Sequence, residues 1–175
     1  MTRFAFFFSL RRTALLGCAA VLLCTGAVWQ AAAARSGPFT NFRGDWSGSG
    51  IIRVKGQDDK QTTERIRCNA AYRQSGGQDV NLKLVCRSDS YSFDLTGDFE
   101  ADASNRITGQ WTEHTRNVGG SVTGQARGSR LLVHAESPAL NANLSMVTHS
   151  RRQSVTLKAA GGGQEVSASM SLRRH

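Results

Sequence analysis

Beyond residue 43, apolar and polar residues alternate with a period of two along almost the whole chain. Residues two apart in a strand share a face, so the alternation predicts one strand after another. Trp46, Gly48, Gly50, Ile52 and Val54 form the first one-sided series, and Gly56–Lys60 supplies a turn. Later series run through Tyr91, Phe93, Leu95, Gly97 and Phe99, then Ile107, Gly109, Trp111 and Glu113, then Val118, Gly120, Val122, Gly124 and Ala126. Leu131–Ala135, Leu140–Met146, Val155–Ala159 and Val166–Leu172 continue the rhythm, with Gly161-Gly162-Gly163 as a turn. Spacings of roughly 10–15 residues with Gly, Ser, Asp and Asn between them predict an all-β, antiparallel up-and-down β-barrel of about 8–10 strands. A β-sandwich is the alternative.

One hairpin can be placed in register. Ile66, Cys68, Ala70 and Tyr72 lie on one face of the first run; Val80, Leu82, Leu84 and Cys86 lie on one face of the return run. Centring the turn on Gly77 sets Tyr72 opposite Leu82, Ala70 opposite Leu84 and Cys68 opposite Cys86. A slip of one residue would send every one of these side chains to the wrong face. Directly opposed strand positions fall within disulfide reach, so Cys68 and Cys86 are expected to be bonded. Such a crosslink stabilises by on the order of 3 kcal/mol in the chain-entropy account.

The first 34 residues read differently. Arg3, Arg11 and Arg12 precede an apolar run over 13–29, and Ala31–Ala34 offers small residues for cleavage. This is the pattern of a secretory signal, which divides the chain into a signal (1–34), a lead-in (35–43) and a barrel domain (44–175). Alternatives remain: a retained membrane anchor, twin-arginine export through Arg11-Arg12, or lipidation at Cys18. Cleavage takes three arginines and no acid from the formal charge of +9, and it leaves Cys68 and Cys86 as the remaining cysteines. A lone cysteine pair in an exported chain fits a disulfide; without a CxxC, and with His114, His134, His149 and His175 scattered, no metal is expected. The expected location is the periplasm or the exterior.

Gly44-Asp45-Trp46 at the start of the first strand, with Arg173 at the end of the last, resembles the lipocalin and avidin-type calycin barrels. That resemblance implies Gly44 and Trp46 at the barrel bottom and Arg173 stacked over Trp46 to close it, a contact favoured by cation–π attraction. The segments Gly44–Gly50, Glu64–Cys68 and Cys86–Ser90 are also similar to small exported proteins of alphaproteobacteria, a likeness that brings no activity with it.

No nucleophile elbow or spaced His/Asp set occurs, so no catalytic residue and no cofactor is expected. Glu64 and Glu113 fall on inner faces; each is a candidate buried acid with a raised pKa, and the favoured reading is a strand-end carboxylate paired with arginine. The expected ligand-lining residues are Trp46, Tyr72, Phe93 and Trp111. Arg67, Arg73, Lys83 and Arg87 line the outer side of the hairpin; as a solvated stripe they discourage edge pairing, and as a site they would hold an anion. Few outward aromatics accompany them, which speaks against nucleic acid. The expected function is a non-enzymatic exported barrel that binds a small apolar ligand or an envelope component. The alternative is an envelope structural or inhibitor-like protein, binding a partner or envelope polyanion through its basic surface, with peripheral membrane contact possible and oligomeric state open.

Overall fold

The structure is a computed structural model that describes residues 36–175. The expected signal segment lies outside the described residues. The alternation resolves into ten strands: β1 (Gly44–Lys55), β2 (Gln61–Arg73), β3 (Asp79–Arg87), β4 (Ser92–Ala101), β5 (Arg106–Glu113), β6 (Val118–Arg127), β7 (Arg130–Ser137), β8 (Leu140–His149), β9 (Arg152–Gly161) and β10 (Gln164–Arg174). Each pairs antiparallel with its successor, and β1 pairs with β10 to close the barrel. Closure removes the exposed edges that an open sheet or sandwich would have to protect. The β2–β3 register is the expected one, with Tyr72 opposite Leu82, Ala70 opposite Leu84 and Cys68 opposite Cys86.

Inward positions carry the core, from Trp46, Ile52 and Val54 on β1 round to Ala168 and Leu172 on β10. Outward positions on β1, β9 and β10 are largely Ser and Thr: Ser47, Ser49, Ser154, Thr156, Ser169 and Ser171. This apolar-in, polar-out arrangement is the reverse of a membrane-spanning barrel. Inward glycines serve curvature more than spare room. A Cβ on Gly48 would sit 1.9 Å from the Ser171 carbonyl oxygen, and one on Gly120 would sit 1.8 Å from that of Glu136. The wall bends so sharply at these points that the neighbouring backbone occupies the space of a side chain.

Candidate functional site: a sealed floor and an open mouth

The two ends of the barrel differ. At the end where β1 begins, the lead-in folds under the strands. Phe39 and Phe42 are both buried there. Their backbone is held by a bond from the Phe39 amide to the Gly77 carbonyl at 3.1 Å, by Gln74 Nε2 donating to the Phe39 carbonyl, and by a turn from Phe42 N–H to Phe39 O at 2.7 Å. Gly37 and Gly77 meet so closely that a Cβ on Gly37 would lie 2.0 Å from the Gly77 oxygen. The Gly76-Gly77 turn thus reverses the hairpin and receives the lead-in.

Four aromatic rings stack edge-to-face across this floor. Phe39 meets Phe42 at 5.9 Å, Phe42 meets Tyr72 at 5.4 Å, and Tyr72 meets Trp46 at 6.3 Å between centroids. Such edge-on contacts suit the ring quadrupoles. Every polar atom in the plug has a partner. Trp46 Nε1 donates to the Phe42 carbonyl at 2.8 Å, Tyr72 Oη donates to Gln153 Oε1 at 2.9 Å, and Gln153 Nε2 donates to Thr148 Oγ1 at 3.1 Å. Burial pushes the Tyr72 pKa well up, against a smaller opposing effect from the Gln153 bond, so the hydroxyl stays protonated.

Trp46 and Tyr72, expected to line a ligand, are therefore consumed in closing the floor. Barrel closure by an arginine over Trp46 is present, but the residue is Arg174, not Arg173. Arg174 Cζ lies 5.6 Å from the Trp46 ring, and its Nη1 donates to the Asn41 and Arg43 carbonyls, each at 3.4 Å. Arg173 pairs with Ser47 and faces solvent. The reason is parity: Ala168, Met170 and Leu172 point inward, so the next inward position is 174. Gly44 keeps its expected place, at φ 127° and against the Arg174 stem.

The opposite end is covered less completely: Phe93, Val118, Leu140 and Val166, the inward residues nearest it on their strands, are only partly buried. Leu84, Leu95, Leu144, Leu157 and Met170 point inward from the middle of their strands, yet each is only partly buried. These inward apolar residues are covered less completely than those of the floor. Phe93 lies toward the rim under the Arg116 guanidinium, 4.9 Å from its ring centroid. Trp111 projects into the interior, 5% exposed, and its Nε1 is a buried donor with no partner among the described residues.

Two carboxylates stiffen the mouth. Glu113 is buried and accepts from the amides of Asp94 (3.0 Å), Thr115 (3.1 Å) and Arg116 (2.8 Å). Burial alone would raise its pKa; the bonds from the Thr115 side chain and these amides outweigh that and hold it at about 2. Glu64 accepts from the Ser90 amide at 2.9 Å, and hydrogen bonds from the Ser90 side chain, first, and this amide lower its pKa. Both are structural acceptors; Glu113 has its expected arginine in Arg116, whereas Glu64 has none among the described residues and is held by the Ser88–Ser90 turn instead. Neither has the raised pKa of a buried general acid. Cys68 and Cys86 form the expected disulfide, facing inward and buried, with Cα atoms 4.1 Å apart.

The basic stripe is only partly assembled. Arg67 and Arg87 do face one another. Arg73, however, is neutralised by Asp45 at 2.8 Å, and Lys83 stands between Ala71 and Thr96. Elsewhere on the outer wall, a depression of about 530 Å³ crosses β3–β6 between two polar rows, Asp79–Glu100–Thr108–Thr123 and Asn81–Asp98–Gln110–Ser121.

No known family profile and no curated protein sequence matches this chain. Several solved structures are similar in fold, and two of them illustrate the likeness. Rv2717c from M. tuberculosis superposes with a TM-score of 0.58 at 12% identity, covering 78% of this chain and 94% of its own. The S-type phycobiliprotein lyase CPES from Guillardia theta also gives 0.58, at 10% identity, covering 78% and 90% respectively. The likeness is one of fold. At such identities it carries no residue role from either protein to this one.

Proposed function

We propose that this protein is an exported, non-enzymatic barrel that takes one small, mainly apolar molecule through its open mouth. The observation that carries the reading is the set of half-exposed, inward apolar side chains above a fully sealed floor, since ligand sites are concave, apolar and closed at one end. Trp111 adds specificity. An unpaired buried donor costs on the order of 1–3 kcal/mol, a cost relieved when a ligand brings a carbonyl or ether oxygen to it. The resemblance to calycin barrels points the same way, now resting on Gly44, Trp46 and Arg174. The disulfide supports export, because such bonds persist in oxidising compartments.

The test is a titration with an uncharged apolar fluorophore such as Nile red, together with native mass spectrometry of the purified protein. Saturable one-to-one binding is expected, with loss in a Leu144→Trp variant that fills the cup. Absence of saturable binding by the folded protein would overturn the reading. A rival has one observation in its favour: the broad depression on the outer wall fits a filled barrel that meets a partner by its outer surface. Under that rival Leu144→Trp would leave binding of the partner untouched.

A further inference from the structure

The closed end of the barrel carries a feature that plays no part in the ligand cup. Around half its circumference, from β6 to β10, the strand ends present Arg127, Arg130, His149, Arg151, Arg152 and Arg173, all exposed. Register gathers them into two groups, staggered where Arg130 lies opposite Val147. Arg127 lies opposite Arg130, His149 opposite Arg152, and Arg152 opposite Arg173. Arg151 is anchored by donating to the Arg174 carbonyl from Nε and Nη2, at 3.3 and 3.1 Å. No Asp or Glu occurs in these strand ends or in the turns that join them, and none of the five arginines has an ion-pair partner among the described residues. The other half of the same end is balanced, with Arg73 on Asp45 at 2.8 Å and Arg106 on Asp102 at 2.9 Å.

Like charges placed directly across a ladder are destabilising. Two such pairs, Arg127–Arg130 and Arg152–Arg173, are kept side by side without a counter-charge. Guanidinium groups are weakly hydrated and bind phosphate through parallel hydrogen bonds, so the missing partner is anionic. Its shape follows from the rim. The β6–β7 and β8–β9 turns are two residues each, 128–129 and 150–151, which leaves a blunt end with the arginines around its edge. A blunt charged rim fits a flat anionic surface better than a flexible polymer, which would follow a groove. The chain also enters the barrel at this end, through the lead-in from residue 36. We propose that this arginine arc docks the barrel, closed end down, on an anionic phospholipid membrane, with the mouth turned away from the lipid.

The test uses the chain from residue 35, because all ten strands, the floor and the closing β1–β10 pair lie within 36–175. Co-sedimentation is measured with vesicles of phosphatidylcholine alone and of phosphatidylcholine mixed with phosphatidylglycerol. Binding to the mixed vesicles only is expected, with release at high salt as screening shortens to about 3 Å at 1 M. Each Arg→Gln change at 127, 130, 152 or 173 should lower partitioning roughly five-fold, from about 1 kcal/mol per surface cation. The fourfold variant should lose binding, and Arg67→Gln with Arg87→Gln should retain it. If the fourfold variant fails to fold, the Arg152→Gln/Arg173→Gln pair still predicts a loss of roughly 25-fold by the same increment. Equal binding to neutral vesicles, an unchanged pair variant, or binding of dextran sulfate without binding of anionic vesicles would each overturn the proposal.

Discussion

The floor and the mouth of this barrel are built from the same strands and by the same alternation, yet they spend their residues differently. At the floor, aromatic rings interlock and every polar atom in the plug is paired within the protein. At the mouth, leucines are left half-covered and an indole N–H is left without a partner. Stability is thus concentrated at one end and unspent binding capacity at the other. The mouth is not loose, however: Glu113 gathers three amides from two segments of its rim.

Substitution should separate these roles. The largest expected effect is at the floor, where Trp46→Ala removes the ring beneath Arg174 and beside Tyr72. A loss of about 3–5 kcal/mol is expected in urea unfolding, and a loss under 1 would erase the distinction between the ends. Next is Glu113→Gln, with an expected cost of about 1.5–3 kcal/mol at neutral pH, because charged acceptors bind amides more strongly than neutral ones. Its sign with pH is definite. A carboxyl held at about 2 when folded, against 4.5 when free, contributes stability that is complete above 4.5 and is lost as pH falls toward 2. The variant's stability should therefore fall less steeply than the wild type's across that window, as read from denaturant melts at a series of pH values.

Tyr72→Phe should cost about 1–3 kcal/mol, since it leaves the Gln153 oxygen buried and unpaired, while leaving binding of an apolar probe unchanged. Phe93→Ala should be the mildest for stability, at about 1 kcal/mol or less, including its contact with Arg116. It should nevertheless weaken probe binding measurably. If Tyr72→Phe abolishes probe binding and Phe93→Ala leaves it intact, the assignment of the two ends is inverted.

How much of this could be read from the residues depended on how local the signal was. The β2–β3 register was legible because three constraints agreed: a glycine turn, an apolar face and two cysteines. The floor was not. Phe39 and Phe42 are three apart in a nine-residue segment, too short to show a strand or helix period, so nothing in the lead-in marks it as a plug. Thr148 and Gln153 continue the inward parity of β8 and β9, but polar side chains at those positions look like strand ends until Tyr72 is placed against them. The resemblance points to Arg173 at the end of the last strand, whereas alternation from Ala168, Met170 and Leu172 selects 174. The unpaired Trp111 N–H had no sequence signal at all, because a missing partner is a property of the whole interior.

The pairing of β1 with β10 has a consequence in time. A chain delivered from its N-terminus, whether by a ribosome or across a membrane, presents β1 first of the ten strands and β10 last, so the β1 edge that β10 will cover stays bare until that strand is out. The hairpin of β2 and β3 can form and be crosslinked early, since its contacts are local. The ring itself can close only when the final strand arrives. Until then the nascent chain is an open sheet with two unprotected margins, the form in which strands of neighbouring chains most readily join. Ser47 and Ser49, facing Arg173 and Ser171 across the seam, keep the solvent side of that last joint polar while it waits.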